Sequence, residues 1–306
     1  MSNHFHKTWM VVLLPWLCSC QLLTKLKDHQ CETDQECVEL LGASFVCSSA
    51  GLCVRADDVD SGTLPLPENW FCLRENLQSF PPLNVEDRSK PPLTVSLQLR
   101  DFTSGEVIQD SAGSSCGLFD LDCEEPIEFG LTPDEEGYTN FTVPYGFNGR
   151  FRFLVPDRLP AVVYISRPIT EDYTEQGAVA LSQTVRASLE RRSGSEILPD
   201  AGLALLVMFD CNDDPAPGIR LVSGDALDST PFYFDGPFPD ADLTETRVTT
   251  GLSFNDTPVA IGGFSDRPGL TTYEAYLAAT GDLVARVAVD IRANELTVIH
   301  TFPGDN

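Results

Sequence analysis

LALLVMFDC, residues 203–211, is apolar from Leu203 to Phe209 without a polar interruption. Successive side chains of a strand point to opposite faces, so a half-buried strand alternates apolar and polar residues. A run that is apolar at both parities needs cover on both faces. The stretch therefore reads as a strand buried on both sides. Downstream lie FYF (232–234), TRVTT (246–250), PVAIGGF (258–264) and TTYEAYLA (271–278). The turn signals ATGD (279–282) and RANE (292–295) precede VARVAVDI and LTVIHTF, which read as closing hairpins. Residues 203–306 thus form one β-sandwich.

Upstream, LTVSLQLRDF (93–102) sets Val95, Leu97 and Leu99 against Thr94, Ser96, Gln98 and Arg100, the period-2 pattern of a half-buried strand. GRFRFLVP (149–156) repeats it with Phe151, Phe153 and Val155, and AVVYIS (161–166) is β-branched and apolar. Gly and Pro punctuate these runs at short intervals, which favours a sandwich over a βαβ sheet. A first sandwich is expected over 92–168. Between its strands, TPDEEGYTNFTVP (132–144) resembles the signature of carboxypeptidase regulatory-like domains, which have a transthyretin-type fold. The resemblance implies a tight turn closed by Asp134 and Gly137, with Phe141 and Val143 entering the core. The stretch from Gly262 to Pro303 resembles a second such domain. The expected class is mainly β: two Ig-like or transthyretin-type sandwiches, a small disulfide knot and one connecting helix.

The connector, 169–202, holds that helix in SQTVRASLERRSG (182–194). Ser182 can cap its N-terminus, Val185 and Leu189 share a face, and Gly194 suits the position after its end. Arg191 and Arg192 complement the dipole at its C-terminus.

The chain has ten cysteines. Residues 31–54 hold Cys31, Cys37, Cys47 and Cys53 in a C-x5-C-x9-C-x5-C pattern. So short a segment cannot bury a core of its own, and cross-links must hold it. Alternating pairing, Cys31–Cys47 and Cys37–Cys53, is preferred. Zinc clusters favour C-x2-C spacings and histidine, neither of which occurs here. With D-x-x-C at Asp34 to Cys37 and G-x-C at Gly51 to Cys53, the segment resembles the cysteine-rich knots of Dickkopf N-terminal type. Residues 55–91 read as an acidic, Pro-rich linker around the apolar island NWFCL (69–73). Cys116 and Cys123 are loop neighbours that can pair with each other. That leaves Cys72 and Cys211, which can staple the island to the second sandwich.

The chain opens with Lys7 and an apolar run over 8–17, too short to cross a bilayer at ~20 residues. This is a secretory-signal pattern. Leu17-Cys18-Ser19-Cys20 resembles the lipobox of bacterial lipoproteins, with small Ser19 before the cut. The resemblance implies a signal over 1–19, lipid on Cys20, a tether over 20–30, and Cys18 discarded. Gln21 in place of Asp implies the outer membrane and leaves open the surface or periplasmic face. The other reading is a plain secretory signal with two incidental cysteines.

The formal charge is −26, from 46 Asp+Glu against 20 Lys+Arg. Such a surface repels nucleic acid and anionic headgroups. The 42% hydrophobic content is ample for a core, so the acidity decorates a folded surface.

No cofactor is expected. Two acidic stretches are weak calcium candidates: DCNDD, with Asp210, Asp213 and Asp214, and FDLDCEE (119–125). Past the signal only His29 and His300 remain, each read as a surface or rim residue, and a zinc peptidase needs more ligands. No HExxH, P-loop or GxGxxG occurs. TPFYFDGPFPD (230–240) could stack its aromatics on a sugar or seat a peptide, but strand alternation favours core packing. The sequence thus reads as a non-catalytic, lipid-anchored envelope protein that binds or assembles. Its expected partners are the membrane through its lipid, and an envelope or extracellular protein or polysaccharide. Alternatives are a calcium-dependent adhesin and a carboxylate-based hydrolase.

Overall fold

The computed structural model describes the backbone strands 45–47 and 53–55, and residues 66–73, 86–118, 120, 122–193, 200–224, 229–236, 238–249 and 258–304. The chain divides into two compact units, 1–64 and 65–306. In the first, β1 (Phe45–Cys47) and β2 (Cys53–Arg55) form an antiparallel pair that sets Cys47 opposite Cys53. The bonding of Cys31, Cys37, Cys47 and Cys53, the signal and Cys20 lie outside the described residues.

The second unit is built from β3 (Leu93–Asp101), β4 (Ala112–Gly117), β5 (Glu128–Leu131), β6 (Tyr138–Val143), β7 (Gly149–Leu154), β8 (Ala161–Ile165), β9 (Tyr173–Ala180), helix α1 (Gln183–Ser193), β10 (Gly202–Met208), β11 (Ile219–Ser223), β12 (Phe232–Asp235), β13 (Phe238–Asp240), β14 (Val248–Thr249), β15 (Val259–Asp266), β16 (Gly269–Leu277), β17 (Leu283–Ile291) and β18 (Leu296–Thr301). A ten-stranded sheet runs in the order β13-β12-β15-β10-β18-β8-β7-β4-β5, with β14 also on β15. Two three-stranded sheets, β6-β3-β9 and β11-β16-β17, complete the fold.

The fold is mainly β, in sandwich layers, and β10 shows why. All seven of its residues are buried. Leu203, Leu205 and Val207 enter one core with Val95, Leu97 and Phe141 of the β6-β3-β9 sheet. Ala204, Leu206 and Met208 enter the other with Leu221, Tyr273 and Val287 of the β11-β16-β17 sheet. Strand parity thus sorts one apolar run between two cores.

This arrangement changes the expected domain division. The segments 92–168 and 203–306 are not separate bodies. β8, from the first, pairs in parallel with β18, which pairs in parallel with β10. Parallel strands covered on both faces read as continuous apolar runs, and β8, β10 and β18 are buried along their whole length. The two sandwiches share their middle sheet because neither segment alone can cover both faces of these strands.

The connector 169–202 also differs from expectation. Its first half is β9, paired in parallel with β3, and only its second half is helical. TEQG at 174–177 lacks the apolar alternation that marks a strand. The pairing comes from the backbone of β3. Ser182 caps α1, its hydroxyl accepting the Val185 N–H at 3.3 Å. Leu189 is buried, and Arg186 is held inside by Asn294 Oδ1 at 2.9 Å and the Ala201 carbonyl at 2.7 Å. Gly194 lies outside the described residues.

The turn before β6 forms as its residues require. Gly137 has φ +87°, its N–H donates to the Asp134 carbonyl, and a Cβ there would lie 2.1 Å from Val107 Cγ1. Asp134 accepts the Tyr138 N–H at 2.8 Å, and this bond lowers its pKa. Thr139, Phe141 and Val143 are then fully buried at alternate positions.

Candidate functional site

Five of the residues singled out in the sequence, Cys72, Cys211, Asp210, Asp213 and Asp214, lie together at the end of β10. Residues 68–70 form a 3-10 turn that buries Trp70 beside Leu206 and Met208. Leu73 is buried in the same core. The turn aligns Asn69: its carbonyl accepts the Cys211 N–H at 3.1 Å, and its amide donates to Asp210 Oδ2 at 2.8 Å. Cys72 is disulfide-bonded to Cys211 with Cα atoms 5.8 Å apart. The Cys72 N–H also donates to Cys211 Sγ at 3.2 Å, so one hydrophobic anchor, three hydrogen bonds and a covalent bond hold residues 69–72 against the end of β10.

The acidic residues of this loop serve the loop itself. Asp210 is buried, and its Oδ1 accepts the N–H groups of Asn212 at 2.8 Å and Asp214 at 3.1 Å. Asp213 adopts φ +61° and pairs with both terminal nitrogens of Arg167, at 3.1 and 3.2 Å. That guanidinium lies 3.9 Å over the ring of Phe302, which stacks on Phe209. Asp214 is exposed. The calcium candidates therefore do not converge, and no group of three potential metal ligands occurs among the described residues. The physical reason is local: a carboxylate that begins a tight turn meets backbone N–H groups before it meets a cation. Asp210→Ala strips three donors of their acceptor and is expected to cost about 3 kcal/mol. Calcium against chelator is expected to leave the wild-type Tm unmoved, and a rise with calcium would overturn this account.

The second acidic stretch behaves alike. Cys116 and Cys123 are disulfide-bonded, with Cα atoms 5.4 Å apart. Asp120 accepts the N–H groups of Glu124 at 2.8 Å and Glu125 at 3.0 Å, and Asp122 pairs with Arg292 at 2.9 Å. Phe119 and Leu121 lie outside the described residues. Buried Arg150 donates to the Asp120 carbonyl and to Tyr164 Oη. Arg152 lies 3.7 Å from buried Glu295, a weak pair by distance.

Burial raises the Glu295 carboxyl above its ordinary value, against the pull of Arg152, Arg292 and Arg150. The folded chain therefore holds this proton more tightly than the unfolded chain. Between the ordinary value and the raised one, its contribution to stability falls as pH rises, and above both it is flat. Comparing Tm against pH for the wild type and Glu295→Gln isolates the effect. The wild type is expected to lose ground to the variant as mildly acidic pH rises, and parallel curves would refute it.

Two further expectations are corrected or resolved. His300 is 1% exposed and not at a rim, because β18 lies inside the middle sheet. Its Nδ1 is 3.2 Å from the Tyr173 hydroxyl. His29 lies outside the described residues. Phe232, Tyr233 and Phe234 are all buried, and Phe238 is half-covered by the guanidinium of Arg192 at 3.9 Å. They form no exposed aromatic platform. The cavity that borders these residues was invisible in the sequence.

No family model matches the chain, and comparison with curated proteins gives no match. Three similar solved structures illustrate the range. The Bacillus anthracis TIE protein aligns over 69% of this chain at 10% identity, with a TM-score of 0.23. This chain covers 33% of its length. A point mutant of the shaft pilin SpaA from Lactobacillus rhamnosus GG aligns over 70% of this chain and 98% of its own, at 11% identity and a TM-score of 0.22. A family CBM26 module of Eubacterium rectale Amy13K, solved with maltoheptaose, aligns over 68% and 93%, at 10% identity and a TM-score of 0.22. No described helix is long and apolar enough to cross a membrane.

Proposed function

We propose that this protein is a non-catalytic, lipid-anchored component of a bacterial cell envelope that acts by binding or by structural assembly. The observation that carries the reading is the clamp at residues 69–72. The Cys72–Cys211 bond joins the apolar island within the linker to the end of β10, a strand buried along its whole length. Disulfides persist in oxidising compartments, which supports export. The Leu17–Cys20 pattern supports lipid on Cys20, and a charge of −26 supports partners other than nucleic acid. The non-catalytic reading draws support from the acidic loops, whose Asp120, Asp210 and Asp213 serve as turn acceptors and ion-pair partners. The turn at Asp134–Gly137 and the buried Phe141 and Val143 support the carboxypeptidase regulatory-like resemblance of the first sandwich.

The test is metabolic labelling with an alkyne-bearing fatty acid in cells that make the wild type or Cys20→Ser. The wild type is expected to carry label and the variant none. An unlabelled wild type, or label that survives in Cys20→Ser, would refute the anchor. Protease treatment of intact cells then assigns the membrane face.

A further inference from the structure

We propose that the cavity between β11 and the β12–β13 hairpin binds a neutral polyhydroxylated ligand, a saccharide unit with adjacent hydroxyls. This deepens the binding role proposed above and rests on it. The cavity measures about 500 Å³, within the range of small-molecule sites. It opens where an outer sheet ends in β11 and the middle sheet ends in β13. Its wall includes Arg220, Ser223, Ser229, Pro231, Tyr233 and Asp240.

Buried partners fix the hydrogen-bond polarity of this wall. The Tyr233 hydroxyl, on a side chain 1% exposed, accepts the Leu221 N–H at 2.8 Å. Its own proton is left to donate. The Ser229 hydroxyl donates to the buried Asp266 carboxylate, which also takes the Tyr273 hydroxyl at 2.6 Å. The Ser229 oxygen is thereby left as an acceptor. The Ser223 hydroxyl is buried with no hydrogen-bond partner among the described residues, and can do either. A wall with one set donor, one set acceptor and one group free to choose suits a ligand whose every oxygen both donates and accepts.

Other ligand classes fit less well. The wall carries Arg220 and Asp240, with Asp266 behind Ser229, and the Arg220 guanidinium lies over the Tyr276 ring, so the site does not select an anion. An added peptide strand would need the outer edge of β11. Thr246 already bonds Gly218 and Ile219 there, at 2.8 Å each, and the Tyr233 hydroxyl takes Leu221. An aliphatic ligand would leave the Ser223 hydroxyl, the Tyr233 proton and the Ser229 lone pairs unused, a loss that sites built for hydroxyls use to reject such ligands.

Saturation-transfer NMR on the full chain would test this with glucose, galactose, mannose, N-acetylglucosamine and maltose, and cyclohexanol as the apolar ring. At least one saccharide is expected to show transfer at millimolar concentration. Tyr233→Phe, which keeps the ring, and Ser223→Ala, which removes a hydroxyl without a partner among the described residues, are each expected to weaken it about tenfold. The proposal fails if no saccharide shows transfer, if neither variant weakens the binding, or if cyclohexanol binds as well. Because the fatty-acid label reads the anchor in cells, loss of either result is distinguishable from loss of the other.

Discussion

Replacing Cys72 and Cys211 together by serine is expected to lower the unfolding free energy by about 5 kcal/mol, against about 2–2.5 kcal/mol for the Cys116 and Cys123 pair. The two bonds close loops of very different length, with sequence separations of 139 and 7 residues. A longer closed loop removes more freedom from the unfolded chain, so the chain-entropy account ranks the bonds in this order. Local packing reinforces the ranking. Trp70 and the Asn69 contacts to Asp210 and Cys211 hold the first bond in place from both sides. Denaturant titration of the full-length double variants reads the difference directly. Equal losses would show that the clamp is held by Trp70 and Asn69 and not by loop closure.

Leu205→Ala and Leu206→Ala are each expected to cost about 2–5 kcal/mol, although they are chain neighbours. Both are buried, with exposures of 0% and 1%. They face different cores, Leu205 toward Leu97 and Phe141, Leu206 toward Tyr273 and Val287. Because their packing partners differ, the double variant is expected to be additive within about 0.5 kcal/mol. Leu154→Ala serves as the control: that side chain is 46% exposed and is expected to cost about 0.5 kcal/mol or less. If either core substitution proved as mild as the control, β10 would have one covered face and the shared middle sheet would be wrong.

Local chemistry made some features legible. Residues 203–209 announced a strand covered on both faces because apolar residues at both parities have no other stable place. Asp134 and Gly137 announced a turn because Gly tolerates positive φ and Asp accepts backbone N–H groups. Ser182 announced a helix start through its hydroxyl. The pairing of Cys72 with Cys211 followed once Cys116 and Cys123 were matched as neighbours.

Other features were not legible, because they depend on residues far apart in sequence. β9 has a polar first half and is a strand only because β3 offers it an unpaired edge. The acids at 210–214 looked like cation ligands, and only the folded loop shows which N–H groups reach them first. The cavity beside Tyr233 needs β11, β12 and Asp266 brought together. By itself, the sequence determined strands such as β3, β7, β8 and β10, the turn at Asp134–Gly137 and the cap at Ser182, since these follow from side chains a few residues apart. The tertiary structure alone decided that two sandwiches share one sheet, that the acids serve turns, and that Ser223, Ser229 and Tyr233 border one cavity. Each of these is a choice among distant partners, set by which surfaces must be covered once the chain is compact.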